Sequence, residues 1–367
     1  MLGRARVFGP AYLDRILRVD SPLLGPSSPP LDQSVGGRAG FGGGDGLALV
    51  DPAGGSLVVD LPADWPGPRG VVELDRPIGL GPGEARRVRA SAWDDDLGGM
   101  GAGFAAATGG ELVAALGPPD DPTSAAVERR LAEQGIAARI VRRDRPADWT
   151  LLISSGEHGD KLAVGFRGCH EALMPDDLAP PLAEPCDVRI VAGLPNRLAA
   201  GLLKAPGARI RAFAPAMRNV LDRDHPVLGL VGPVDVLCCN RGEWEALADR
   251  EEVAARLSIL VVTDGSAGGS ARFTDPLGSA GSVRIPAFPR ARPPRDTNRA
   301  GEAFASTFLA TLMQRGWRPE SCTADAELVR SAMTRASAAS ALVLDLAGFG
   351  FPTEAEVDAA LARGIVD

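Results

Sequence analysis

Runs of apolar residues and segments with helical periodicity alternate along most of the chain. Buried strands are predicted where short apolar runs end in glycine or a polar residue, at positions 186–193, 210–216, 234–240 and 259–264. Helices are predicted at positions 122–134 and 328–346. Strands that alternate with helices at this spacing predict an α/β fold with a doubly wound, mainly parallel sheet flanked by helices.

Residues 21–96 have a different pattern of residue types from the rest of the chain. Clusters of proline and glycine separate short strand-like runs there, at positions 47–50, 56–60, 71–74 and 86–90. Such spacing predicts a small β-sheet, inserted into a main domain formed by residues 1–20 and 97–367. Edge strands of a small sheet need covering, and pairing with a second copy of the chain would cover them.

Composition narrows the classes of function. The chain has 367 residues, of which 45% are hydrophobic, and a formal net charge of −8. The negative charge argues against a general nucleic-acid or membrane-surface binder. Without an 18-residue apolar run or a signal-like N-terminus, we expect no membrane span and a cytoplasmic protein. The five scattered cysteines show no metal-ligand spacing and are expected to be reduced structural thiols.

The segment at positions 296–304 carries the clearest chemical signal. It follows a proline-rich run at positions 286–294 and precedes apolar residues at helical spacing, so a helix is predicted to begin near positions 299–302. The N–H groups of a first helical turn have no intrahelical partner and form an anion site. Glu302 lies in that turn, and a phosphate site beside a carboxylate is what phosphoryl transfer to a hydroxyl requires.

This segment resembles the signature of the ribokinase-like sugar and nucleoside kinases, the PfkB family, which reads Asp-Thr-x-Gly-Ala-Gly-Asp-x-Phe. The chain matches the signature at Asp296, Thr297, Ala300, Gly301 and Phe304. The resemblance implies that Ala300 and Gly301 belong to an anion hole. It also implies that Asp296 binds the substrate and that Thr297 lies beside the nucleotide.

Two positions of the signature differ, because Arg299 replaces its first glycine and Glu302 replaces its catalytic aspartate. The resemblance assigns the role of catalytic base to Glu302. Glutamate has nearly the pKa of aspartate, but it is one methylene longer, and a misplacement of about 1 Å can cost on the order of 100-fold in rate. Two roles are open for Arg299: it binds phosphate, or it pairs with Glu302 and occupies the anion site.

On the substrate side, Asp14 follows a short strand, and ligands of open α/β sheets collect at strand ends. The resemblance implies that Asp14 binds sugar hydroxyls, whereas a lone aspartate there is often a turn residue. Gly98 and Gly99 match a family Gly-Gly-x-x-x-Asn segment, in which Gly103 replaces the sugar-binding asparagine. A dinucleotide-binding loop is the alternative for this glycine-rich run, disfavoured because no strong strand is predicted before Gly98.

On the nucleotide side, Asn240 and Glu243 match the Asn-x-x-Glu motif with which the family organises Mg²⁺ and phosphate. One glutamate that acts through water is enough for Mg²⁺, and a simple helix cap is the alternative. The resemblance places Thr263 and Gly265 under the nucleotide and Ser340 near the adenine. ATP and Mg²⁺ are therefore the implied cofactors.

Taken together, these residues predict an ATP-dependent phosphotransferase that moves the γ-phosphoryl group of ATP to a hydroxyl of a sugar or nucleoside-like molecule. Because three departures fall at chemical positions, the alternative is a weakened or inactive relative that binds a nucleotide or metabolite. In relatives the small sheet is a lid over the substrate that often pairs with a second subunit. The resemblance thus implies a homodimer formed through the lid.

Overall fold

The computed structural model describes residues 4–24, 31–39, 46–155, 160–294, 297–319, 324–346 and 348–366. Its strands are, in chain order, β1 (Ala5–Phe8), β2 (Tyr12–Val19), β3 (Asp32–Ala39), β4 (Gly46–Val50), β5 (Ser56–Asp60), β6 (Gly70–Leu74), β7 (Ala85–Gly98), β8 (Glu111–Leu116), β9 (Ala138–Arg142), β10 (Trp149–Ser155), β11 (Asp160–Phe166), β12 (Cys186–Ala192), β13 (Ala208–Ala214), β14 (Val236–Asn240), β15 (Ile259–Thr263), β16 (Gly269–Thr274) and β17 (Ala280–Ile285).

The helices lie mostly between strands of the larger sheet or after them. They are α1 (Met100–Thr108), α2 (Pro122–Glu133), α3 (Ala179–Ala183), α4 (Asn196–Lys204), α5 (Met217–Val220), α6 (Arg241–Ala246), α7 (Arg250–Ala255), α8 (Ala300–Gln314), α9 (Ala326–Val343) and α10 (Glu354–Arg363). Within the described ranges, none of these helices is long and apolar enough to cross a membrane.

A nine-stranded sheet forms the centre of the larger part, in the order β17-β16-β15-β14-β13-β12-β1-β8-β9. Its strands run parallel except at one edge, where β16 and β17 are antiparallel to their neighbours. One apolar core lies under α1, α8 and α9, and a second lies on the opposite face under α4 and α7. Neighbouring Cys238 and Cys239 face these two cores, as alternation along a strand requires. The predicted doubly wound sheet is confirmed.

The smaller part is a closed β-barrel rather than an open sheet. Its eight strands follow the order β10-β11-β3-β6-β4-β5-β7-β2, and each is hydrogen-bonded to a neighbour on both sides. The strands predicted within residues 21–96 are present, but the barrel also takes β2, β10 and β11 from outside that insertion. The closed ring removes the free edges on which the expected pairing with a second copy was based.

The junction between barrel and sheet positions helix α1. Strand β7 runs directly to Gly98, so the expectation of no strand before this glycine was wrong. That strand pairs antiparallel with β2 of the barrel and belongs to no parallel βαβ unit, so the argument against a dinucleotide loop holds for another reason. Gly99 then adopts a φ of 101° as α1 begins. A β-carbon at residue 101 would lie 2.4 Å from the carbonyl carbon of Gly9, so α1 packs directly on the turn after β1.

Candidate active site

The candidate site lies where the carboxyl ends of the central strands meet the mouth of the barrel. Helix α8 begins there, and α1 packs beside it. In register, Asn240 at the end of β14 pairs with Thr263 at the end of β15. In the barrel wall, Asp14 of β2 lies opposite Asp96 of β7. The fold therefore brings together residues that are up to about 290 positions apart in the chain. In open α/β sheets, ligands bind at this carboxyl edge of the strands.

Helix α8 begins at Ala300, within the predicted range. Arg299 is its N-cap residue and has a φ of 65°, in the left-handed region that glycine adopts without strain. The backbone therefore keeps the conformation that suits glycine although arginine occupies the position. Ala300, Gly301 and Glu302 form the first turn, whose N–H groups are not used by the helix itself.

The side chain of Glu302 packs on the bare backbone of Gly103 in α1. A β-carbon at residue 103 would lie 3.0 Å from Glu302 Cγ and 3.4 Å from Glu302 Cβ. The same β-carbon would lie 3.5 Å from Phe351 Cζ, in the segment between α9 and α10. The two departures at residues 103 and 302 are thus direct neighbours in space.

The environment of Glu302 raises the pKa of its carboxyl. Burial raises the pKa of the Glu302 carboxyl above its ordinary value. Three effects oppose this rise in pKa: a hydrogen bond from its own backbone N–H and the positive charges of Arg299 and Lys161. Lys161 reaches this region from strand β11 and donates a hydrogen bond to Asn298 Oδ1. The carboxyl therefore has a raised proton affinity that two nearby cations moderate.

Arg299 forms an ion pair with Asp96, at 3.1 Å between Nη1 and Oδ2. The exposed fractions of the two side chains are only 8% and 16%. The Arg299 guanidinium also lies 5.8 Å from the ring centre of Phe349, a cation–π distance. The sequence left two roles open for Arg299, phosphate binding or pairing with Glu302. The structure shows an ion pair with Asp96 of the barrel wall, and the phosphate-binding role stays a prediction.

The glycine pair after β7 makes room for Asp14. A β-carbon at residue 98 would lie 2.5 Å from Asp14 Oδ2, and one at residue 99 would lie 2.3 Å from the carbonyl oxygen of Pro10. Any side chain at either position would displace the carboxylate or the turn. The space left by the missing side chains of Gly98 and Gly99 therefore allows the Asp14 carboxylate to lie at the barrel mouth.

Asn240 and Glu243 form a reciprocal cap at the start of α6. The Glu243 N–H donates to Asn240 Oδ1 at 2.8 Å, and the Asn240 N–H donates to Glu243 Oε2 at 2.9 Å. Burial raises the pKa of Glu243 to about 7, the hydrogen bond from the Asn240 N–H opposes the rise, and the charge of Glu302 adds to it. The charge of Glu302 at the start of α8 therefore acts on Glu243 at the start of α6.

The other predicted residues occupy the same edge or lie outside the described part. Gly265 has a φ of 51° in the turn after β15, and the hydroxyl of Thr263 donates to the carbonyl of Cys239 at 3.4 Å. Thr297 is exposed just before α8, and Ser340 is half-buried on α9. Asp296 lies outside the described residues, so its expected contact with substrate stays a prediction.

The sequence reading missed several residues at the barrel mouth. Tyr12, the single tyrosine, has its pKa raised to about 12 by burial and by the charge of Asp14. Arg218 donates to the carbonyl of Gly193 at the end of β12, and burial lowers its pKa to about 10. Arg167 follows β11 and lies 3.8 Å from Asp148 Oδ2. Lysine usage was a signal for Lys161, because the chain contains only one other lysine.

One buried cluster in the described part has metal-ligand chemistry: Asp148, Cys169 and His170. The Ala115 N–H donates to His170 Nε2 at 3.4 Å, which leaves the proton on Nδ1, 3.4 Å from Asp148 Oδ2. Burial raises the pKa of the Cys169 thiol to about 12, so it stays protonated. The Gly168 and His170 N–H groups and the Cys169 thiol all donate to Asp148 Oδ1, so the cluster is a structural hydrogen-bond network.

The chain is similar to known proteins both in sequence and in fold. Residues 80–356 match the family model described as pfkB family carbohydrate kinase. A search of curated proteins gives no match. Among solved structures, Methanocaldococcus jannaschii nucleoside kinase is 14% identical, covering 99% of each chain with a TM-score of 0.64.

Two further solved structures contain bound ligands. Arabidopsis thaliana ribokinase complexed with ribose and ATP is 17% identical and has a TM-score of 0.59, covering 98% of this chain and 99% of its own. Burkholderia thailandensis nucleoside kinase in complex with inosine is 16% identical and has a TM-score of 0.62, covering 98% of each chain. At these identities, the similarity shows a shared fold.

Proposed function

The chain belongs to the PfkB family of carbohydrate kinases, and on that basis we propose that it is an ATP-dependent phosphotransferase. It would move the γ-phosphoryl group of ATP to a hydroxyl of a sugar or nucleoside-like molecule. The observation that carries this proposal is the placement of Glu302: it lies in the first turn of α8 together with Ala300 and Gly301, whose N–H groups have no partner within the helix.

Glu302 is the proposed general base. It takes the proton from the acceptor hydroxyl as the oxygen attacks the γ-phosphorus, and the bond between that phosphorus and the leaving ADP oxygen breaks. Its raised pKa suits this task, because a base works best when its pKa lies nearer the working pH. Asp14, at the barrel mouth, is proposed to hold the other hydroxyls of the acceptor.

The start of α8 is the proposed site for transferred phosphoryl charge. The N–H groups of its first turn and the helix dipole favour negative charge there. Arg299 adds a positive charge at the same position, and its ion pair with Asp96 holds it in place. We propose that Arg299 acts on the phosphates as a fixed neighbouring charge.

The residues around Glu243 fit Mg²⁺. Glu243 and Glu302 interact closely enough for one charge to raise the pKa of the other, and hard carboxylate oxygens are the ligands Mg²⁺ prefers. Glu243 would hold the ion through water, and Asn240, Thr263, Gly265, Thr297 and Ser340 are the proposed nucleotide-binding residues. Mg²⁺, when bound, neutralises the charge of the phosphates. The use of ATP and the free thiols of the described cysteines fit a cytoplasmic enzyme.

The charges at the barrel mouth favour an acceptor that carries an anionic group. Arg167 lies 3.8 Å from the buried carboxylate of Asp148, and Arg218 feels the charges of Arg167, Asp148 and Glu171. Burial and the charges of Asp14 and Glu302 raise the pKa of Tyr12 and the charge of Arg167 lowers it, so the two arginines and these carboxylates act on the same region. A carboxylate or phosphate group on the sugar would balance this positive charge.

A ligand-stabilisation screen tests the proposed function. The melting temperature is measured with Mg–ATP alone and with neutral sugars, sugar acids, sugar phosphates and nucleosides, and each hit enters an assay of ADP release. We expect Mg–ATP to raise the melting temperature and one acceptor class to give turnover. Stabilisation by ATP without turnover for any acceptor would favour the alternative, a binding protein without kinase activity. No effect of ATP at millimolar concentration would refute the proposal.

A further inference from the structure

Two of the three departures from the family motifs, Gly103 and Glu302, are neighbours in space. Gly103 lies in α1 and Glu302 in α8, and the β-carbon that residue 103 lacks would lie 3.0 Å from Glu302 Cγ. That distance is too short for an unshifted neighbour in a packed interior. The space that a side chain at residue 103 would fill is therefore the space in which the longer side chain of Glu302 lies.

In the described part of the chain, the atoms nearest to the missing β-carbon of Gly103 belong to Glu302. Glycine is a poor helix former, so a buried glycine within α1 needs a reason. For Gly101 the reason is the backbone of Gly9, which a β-carbon would meet at 2.4 Å. For Gly103 the nearest atoms are those of Glu302, followed by Phe351 Cζ at 3.5 Å. Glycine at residue 103 therefore leaves space in α1 for the side chain of Glu302.

We propose that Gly103 and Glu302 are a compensating pair of departures from the family motifs. Glycine at residue 103 is the positioning residue that lets a glutamate serve as the base. This inference rests on the proposed kinase function. Glutamate reaches one methylene further than aspartate, and the space beside Gly103 takes up that length, so the carboxylate stays in the first turn of α8. The acceptor side would then meet the carboxylate directly, without an amide side chain at residue 103.

The test is a double-mutant cycle of Gly103→Asn, Glu302→Asp and the two combined, measured as kcat and KM with the acceptor and with ATP. We expect each single variant to lose on the order of 100-fold in kcat, because a carboxylate misplaced by about 1 Å has that effect. The combined variant is expected to recover at least about 10-fold over either single variant, because the two changes compensate. KM for ATP should stay unchanged throughout.

Gly201→Asn is the matched control, since Gly201 is also a helical glycine but a β-carbon there would meet no atom within 4 Å. It should leave kcat unchanged. Gly103→Ala serves if asparagine at residue 103 prevents folding, and it should show the same loss in milder form. Losses in kcat that simply multiply in the combined variant would overturn the pairing, as would full activity of Glu302→Asp alone.

A second readout separates this inference from the kinase proposal. The same four proteins are compared by their midpoint of denaturant unfolding, which needs no substrate. We expect Gly103→Asn to lower the midpoint strongly in the parent and much less in Glu302→Asp. If that coupling is present but no protein turns over, the pair stands and the kinase proposal fails. If turnover is present without coupling in either readout, the kinase proposal stands and the pair fails.

Discussion

Arg299 Nη1 donates to Asp96 Oδ2 at 3.1 Å, which ties the N-cap of α8 to strand β7 of the barrel. Asp96 in turn lies opposite Asp14 in the register of β2 and β7. The proposed anion site and the proposed substrate carboxylate are thus linked through one ion pair. The arginine that departs from the family signature is built into the wall between the two parts of the molecule.

The left-handed backbone of Arg299 predicts an unusual order of stabilities. Both Arg299→Gly and Arg299→Ala remove the ion pair, but only alanine keeps a side chain at a φ of 65°. We expect the glycine variant to be more stable than the alanine variant by about 1 kcal/mol, because a left-handed conformation costs a non-glycine residue about that much. Urea unfolding of the two variants measures the difference. Equal midpoints would contradict the assigned backbone conformation.

Lys161 predicts a shift in the pH dependence of activity. The base must be ionised, so kcat/KM falls as pH drops through the pKa of Glu302, which lies above its ordinary value. Lys161 lowers that pKa, and Lys161→Met should therefore move the acidic limb of the profile to higher pH. Lys204→Met, at the end of α4, is the matched control and should leave the limb in place. A limb that stays or moves to lower pH in Lys161→Met contradicts the placement.

Arg218 predicts a preference for an anionic acceptor. Arg218→Met should raise KM for an acceptor with a carboxylate or phosphate group at least about 10-fold, because a charge-assisted hydrogen bond contributes about 1.5–3 kcal/mol. KM for ATP and for neutral acceptors should change little. Arg272→Met is the control, since Arg272 lies in β16 and pairs with Glu251. If the wild-type protein prefers neutral acceptors, the proposed preference for an acceptor with an anionic group is wrong.

The closed barrel predicts that the lid is complete within one chain. The expected homodimer was inferred for an open sheet, whereas each barrel strand is already paired on both sides. Light scattering coupled to size exclusion should therefore give the mass of a single chain, 38.0 kDa, at micromolar concentration. A mass twice as large, lost on substitution of barrel residues, would restore dimerisation through the lid.

How far the sequence could predict this molecule depends on the range of each interaction. The start of α8 near Arg299 and the cap formed by Asn240 and Glu243 follow from local signals within a few residues, and the structure has both. Closure of the barrel depends on β3, whose two glycines and polar residues hide its strand character, and on its pairing with β11. Long-range register of this kind leaves no local signal.

The same limit applies to the candidate site. Sequence motifs identified Glu302 and Gly103 as separate departures, and each alone counted against activity. Only the packing of α1 on α8 shows that the two occupy one volume. Asp96 and Lys161 reach the site from barrel strands, so their role depends on tertiary placement that no motif encodes.

The central claim is that Glu302 is the base of an active kinase, and the most direct test compares wild-type protein with Glu302→Gln. Acceptor-dependent release of ADP is measured at saturating Mg–ATP, with ATP affinity measured separately by titration. The account predicts turnover by the wild type, a loss of about 100-fold or more in kcat for the variant, and unchanged ATP affinity. Equal turnover by both proteins would contradict the role of Glu302, and ATP binding without any turnover would contradict the kinase itself.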